Sequence, residues 1–143
     1  MFIGEYHHAQ DEKGRVAIPK KFHKELGKVA VVTRGLDHCL FLFPKKEWLE
    51  LAKKLSQLPI SQANSRAFAR LMLAGAMDVE LDAQGRVMIP EYLREYAQTK
   101  KNVVVAGVYS RLELWDEEAW EKYKHTTEEG SNNIAEQLAD LGV

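Results

Sequence analysis

The 143-residue chain suits one ordinary domain or two very small ones, and 45% hydrophobic with 29% charged residues is a globular rather than a disordered composition. No apolar run nears the roughly 18 residues of a membrane span, the start lacks the basic-then-apolar order of a secretory signal, and the lone Cys39 excludes an intrachain disulfide and points to a reducing cytoplasm. The net charge of −1 conceals 13 Lys and Arg against 7 Asp and Glu in residues 1–71, and 7 against 14 in residues 72–143: a basic half that suits a polyanion and an acidic half that suits the basic half of another copy.

In chain order, residues 2–7 alternate as a strand and lead into Asp11-Glu12-Lys13-Gly14. That tetrapeptide has hairpin chemistry, because Asp can bond its own backbone two residues on and Gly supplies a left-handed turn. Arg15, Val16, Ala17 and Ile18 then alternate with period two, which sets Val16 and Ile18 toward a core and Arg15 outward. Pro19 ends the strand and opens a short helix over 20–26, with Phe22 and Leu26 on one face and Gly27 as its stop. Residues 29–33 and 39–43 are β-rich runs around a Gly-containing turn. Two helices follow, over 44–58 with the stripe Trp48, Leu51, Leu55 and Leu58, and over 61–73 with Phe68, Leu71 and Met72.

The first pattern then returns. "DEKGRVAIP" (11–19) becomes "DAQGRVMIP" (82–90), and downstream Gly35, Leu40, Leu42 and Trp48 match Gly107, Leu112, Leu114 and Trp120. The offset is 71 residues at the motif and 72 after it. Asp116 is a good N-cap for a helix that takes in Trp120 and Tyr123, and Ile134, Leu138 and Leu141 recur at helical spacing in a tail that is expected to order only against a partner. Each unit reads as strand, turn, strand, short helix, strand, turn, strand, too small to bury much surface alone. The two must share a core, within the chain or between chains. The organisation read from this pattern is a repeat over 5–47, a helical linker over 48–75, a second repeat over 76–119 and a helical tail over 120–143. The fold class is mainly β with helices (α+β), a pseudo-twofold arrangement of two ββαββ-type repeats.

The duplication carries a family resemblance. Asp11…Arg15 and Asp82…Arg86, the start Met1-Phe2-Ile3-Gly4-Glu5-Tyr6, the run Thr33-Arg34-Gly35-Leu36-Asp37 and the run Leu112-Glu113-Leu114-Trp115 together resemble the MraZ family, over nearly the whole chain. The resemblance implies two fused SpoVT-AbrB-type DNA-binding units forming an AbrB-like β-barrel, double-ψ or swapped-hairpin in kind, with flanking helices. It implies a ring-shaped, octamer-like homo-oligomer. It further implies a cytoplasmic, nucleoid-associated transcriptional repressor that binds short direct repeats in the promoter of the division and cell-wall gene cluster, which its own gene heads.

The residues themselves support a polyanion contact. Lys13, Arg15, Lys20, Lys21 and Lys24 surround one turn and one helix start, where free N–H groups favour phosphate. An Arg on a β-ribbon can pair bidentately with guanine, while Lys residues set register on phosphates. In the second unit Gln84, Glu91 and Tyr92 replace Lys13, Lys20 and Lys21, and Arg86 remains. The first unit is therefore expected to lead DNA binding. Asp11 and Asp82 are expected to orient Arg15 and Arg86, or only to pair with them at ~0–1 kcal/mol as surface ions do. Two rivals are an antitoxin-like interaction module and a nuclease built on Asp11-Glu12-Lys13 with His7 and His8. The second is weak, because adjacent His residues on a strand point apart and no other pair has ligand spacing. No cofactor, metal, catalytic group or small-molecule ligand is expected.

Overall fold

The computed structural model describes residues 1–143. The first repeat supplies β1 (Phe2–Ala9), β2 (Arg15–Ala17), a 3-10 turn (Lys20–Phe22) continuing into the one-turn α1 (His23–Leu26), β3 (Val29–Arg34) and β4 (Leu40–Pro44). The linker forms α2 (Lys45–Ser56) and α3 (Ala63–Ala69), and α3 runs into a wide π turn (Arg70–Ala74). The second repeat supplies β5 (Met77–Glu80), β6 (Arg86–Met88), α4 (Glu91–Ala97), β7 (Asn102–Tyr109) and β8 (Arg111–Asp116). The chain ends in α5 (Glu117–Glu129), α6 (Ser131–Gln137) and a 3-10 turn (Ala139–Leu141).

The strands interleave the two repeats. One six-stranded sheet has the order β1-β7-β8-β4-β3-β5, and β2 pairs with β6 in a separate two-stranded ribbon. Every pairing in it is antiparallel: β1 lies on β7, β4 on β8 and β3 on β5, each across repeats, while β3–β4 and β7–β8 stay within one. The central strands read as continuous apolar runs because both faces are covered. Alternate residues serve different cores. Val32, Leu40, Leu42, Val103, Val105, Leu112 and Leu114 face one cluster with Val16, Val87, Ile18, Ile89, Phe22, Leu26 and Leu93. Val31, Phe41, Phe43, Val104 and Trp115 face the other, which α2 covers with Trp48 and Leu55, the π turn with Met72 and α5 with Trp120. The sheet is thus the middle of three layers, with the ribbon, α1 and α4 on one side and the linker and α5 on the other. Each fully buried Val or Leu here contributes about 1.5–3 kcal/mol by burial.

Three expectations need correction. The AbrB-like barrel is not closed: β2 and β6 are three residues long, and past the end of β1 a single isolated bridge, Gln10↔Val16, joins the first strand's extension to β2. Pro19 and Pro90, with no N–H to donate, follow closely and stop both strands. The first hairpin is likewise only a turn, because β2 leaves β1 after it and takes β6 as its partner. The helix expected over 61–73 widens into the π turn, where Thr33 Oγ1 donates to Met72 O at 2.6 Å and Arg34 Nη1 to Leu71 O at 3.2 Å. The change of pitch buries Met72 and leaves Phe68 36% exposed. Asp116 does cap α5, accepting from Ala119 N at 3.4 Å.

Candidate nucleic-acid interface

The two motif turns are the same object built twice. Asp11 Oδ1 accepts from the backbone N–H groups of Lys13 (3.0 Å) and Arg15 (2.8 Å), and Oδ2 accepts from Arg15 Nε at 2.5 Å. Asp82 Oδ1 accepts from Gln84 and Arg86, both at 2.9 Å, and Oδ2 from Arg86 Nε at 2.9 Å. The backbone closes each turn through Gly14 N to Asp11 O and Gly85 N to Asp82 O, both at 2.9 Å. Gly14 and Gly85 sit at φ +84° and +75°, in the left-handed region. The backbone N–H of the motif Arg, and then its guanidinium, holds each Asp carboxyl below the usual carboxylate range, against an opposing push from partial desolvation.

The ribbon brings the two arginines together. Its register sets Arg15 opposite Met88, Val16 opposite Val87 and Ala17 opposite Arg86. Val16 and Val87 point inward and are buried, so Arg15, Ala17, Arg86 and Met88 share the outer face. Arg15 and Arg86 are diagonal neighbours on that face, about 7–8 Å apart by ribbon geometry. Each uses its Nε on its own Asp, and no hydrogen bond engages the terminal Nη groups of either. Two crossed backbone bonds, Ile18 N to Gly85 O (2.9 Å) and Ile89 N to Gly14 O (2.8 Å), lock the turns to each other. Beneath them His23 Nε2 meets Ile18 O at 2.7 Å, and at the equivalent place Arg94 Nε donates to Ile89 O at 2.9 Å.

The flanking cations differ from the expectation in detail. Lys13, Lys20 and Lys24 are exposed and enter no ion pair. Lys21 is exposed too, with its Nζ over the rings of Phe22 (5.3 Å) and Tyr6 (5.4 Å) in a cation–π contact. The helix start at Lys20 is a 3-10 turn and one α turn, too short for an appreciable dipole. On the second side Tyr92 has a structural task. Its hydroxyl donates to Gly75 O at 2.7 Å, and Arg34 sits over its ring at 5.8 Å. The replacement of Lys21 by Tyr92 therefore anchors the linker.

The carboxylate–histidine set weighed as a nuclease centre is not brought together. Asp11 bonds Arg15, whereas His7 lies between Glu117 (3.3 Å) and Glu5 (3.2 Å), which raise its pKa. Cys39 is buried, and burial pushes its thiol up, so it is a core thiol. Sequence reasoning missed Met88, 56% exposed beside Arg15 on the outer face, and the supports His23 and Arg94. Period-two alternation from Arg86 would have found Met88; no local signal marks the other two.

Comparison with known proteins agrees with the duplication. A family profile described as "MraZ protein, putative antitoxin-like" matches twice, at residues 1–71 and 72–141. The chain is 50% identical over 143 residues to a protein of Halothermothrix orenii named "Transcriptional regulator MraZ", with all of both chains covered. It is 47% identical over 143 residues to the protein of that name from Natranaerobius thermophilus, again with full coverage of both. With the one from Carboxydothermus hydrogenoformans it shares 49% identity over 141 residues, 99% of each chain.

Proposed function

This chain belongs to the MraZ family, and on that premise we propose that it is a transcriptional regulator, not an enzyme, that reads duplex DNA through the outer face of the β2–β6 ribbon. The observation that carries the reading is the pairing of Arg15 and Arg86 on one face, each steered by an Asp and each with free Nη donors. A two-stranded ribbon fits the B-DNA major groove, about 12 Å wide, and an arginine there meets guanine O6 and N7 with two parallel bonds. Met88, opposite Arg15 on the same face, suits the methyl group of thymine. Lys13 and Lys20, free at one end of the ribbon, take phosphates and fix its register.

The finer reading follows the resemblance. Each repeat stands for one chain of an AbrB-type dimer, with the barrel left open at β2 and β6. Copies join as a ring and meet successive short direct repeats upstream of the division and cell-wall genes and of the regulator's own gene, repressing them in the cytoplasm at the nucleoid. Several ribbons acting at once raise the effective concentration of each contact, so tandem boxes bind far better than one. The test is a gel-shift titration and footprint on that upstream DNA with Arg15→Ala, Arg86→Ala and the double variant. Each single change is expected to cost about 1–3 kcal/mol of binding, with Arg15→Ala the larger. Unchanged binding by the double variant contradicts the reading. The description "antitoxin-like" carried by the family keeps one rival, a protein partner on the same face; a stoichiometric partner that co-purifies and blocks DNA binding would favour it.

A further inference from the structure

We propose that the C-terminal helical segment of one copy docks, through Ile134, Leu138 and Leu141, into the groove between α2 and the α3–π turn of a neighbouring copy. The inference rests on the self-association proposed above and names the surfaces that produce it.

The segment has a partnerless apolar stripe. α6 and the turn after it have no buried residue, yet Ile134, Leu138 and Leu141 fall at i, i+4 and i+7, 42%, 39% and 76% exposed. That spacing lines one helical face. An isolated helix this short is marginal in water without a surface to pack against.

The groove is apolar within, its own rim charges Glu47, Glu50, Lys54 and Arg111 balance, and the linker around it is opposite in charge to the tail. It has a volume of about 360 Å³. Phe41, Phe43 and Met72 line it from within, Leu51 is a wall, and Leu36 and Phe68 stand at the rim, 50% and 36% exposed. The π turn closes one side of it, with Met72 buried and Phe68 left outside. Residues 45–74 carry six Lys and Arg against two Glu, Glu47 and Glu50, both of which also line the groove beside Lys54. Residues 126–143 carry four acidic side chains, Glu128, Glu129, Glu136 and Asp140, and no Lys or Arg. The opposite signs favour a contact between the basic linker of one copy and the acidic tail of the next. A contact between two different surfaces repeats head to tail and closes a ring where the rotation allows.

The experiment joins Phe68→Cys and Leu138→Cys in the full-length chain under mild oxidation, beside light scattering of the wild type and of Leu138→Glu. The buried Cys39 stays out of the exchange. The expected result is a ladder of covalently linked chains from the double cysteine variant, absent from either single one, and a fall in mass for Leu138→Glu while a single cooperative melting transition shows that the sheet core still folds. A disulfide within one chain, or no disulfide at all beside a wild type that remains oligomeric, overturns the docking while leaving self-association intact. A monomeric wild type overturns both.

Discussion

The two Asp–Arg turns hold the same hydrogen bonds and differ in the charges that flank them. Asp11 with Arg15 and Asp82 with Arg86 repeat a clamp of two backbone donors and one guanidinium. Around the first lie Lys13, Lys20 and Lys21; around the second lie Gln84, Glu91 and Tyr92. The difference teaches that geometry and charge are set separately here. The clamp aims an arginine and needs the Asp, the Gly and the inward Val. The flanking positions are free to supply cations on one side and a linker anchor, Tyr92 on Gly75, on the other.

The sharpest way to break the comparison is at the two glycines. A Cβ on Gly14 would lie 2.7 Å from the Ile89 backbone oxygen as well as against Arg94, whereas one on Gly85 would meet the His23 ring, whose Cε1 is 2.3 Å away. The ring can move aside at the cost of its bond to Ile18 O, whereas the backbone oxygen cannot move without shifting the ribbon. Gly14→Ala is expected to destabilise by about 1–3 kcal/mol and Gly85→Ala by less, read as melting temperature. Equal losses would mean that the two turns are packed alike.

The arginines come next. With flanking lysines beside one and not the other, Arg15→Ala is expected to weaken DNA binding somewhat more than Arg86→Ala, each within about 1–3 kcal/mol at one salt concentration. A smaller effect is expected from exchanging charge alone. Glu91→Lys should steepen the salt dependence of binding by about one unit of log K against log salt, and Lys20→Glu should flatten it. Lys20→Glu should leave the melting temperature unchanged, since the side chain is exposed, whereas Glu91→Lys should lower it slightly, since Glu91 opens α4 and an acid is favoured there by about 0.3–1 kcal/mol.

Acid gives the smallest effect. Both Asp carboxyls are held below their usual range in the fold, so their contribution is present above the ordinary carboxylate pKa and is lost as pH falls through the lowered one. Asp11→Asn and Asp82→Asn should each flatten the acid limb of the stability curve by a similar small amount. A marked difference between them would show that one clamp is held more tightly than the other.

Much of this was legible in the sequence. The turn chemistry of Asp11 and Gly14, the inward Val16 and Ile18, the buried runs ending at Phe43 and Trp115 and the cap at Asp116 are all local patterns, and local patterns are written in adjacent residues. The pairing of β2 with β6 was not, because Arg15 and Met88 lie 73 residues apart and nothing local distinguishes β6 from β1 as a partner for β2. The sequence therefore suggested two separate patches, one strong and one weak, where the ribbon makes a single face. In the sequence Tyr92 shows only a lost charge for the same reason: its partner Gly75 belongs to another element. The π turn escaped because the stripe Phe68, Leu71, Met72 fits an α-helix equally well.

Arg15 and Arg86 of one chain are expected to act as one site. Guanine-specific protection of operator DNA by the wild type, Arg15→Ala and Arg86→Ala tests it most directly. Arginines about 7–8 Å apart on a ribbon span about two base-pair steps of 3.4 Å. The protections lost with the two substitutions should therefore fall within two or three base pairs of each other in every box. Losses separated by a full helical turn, or lying in different boxes, would contradict the account.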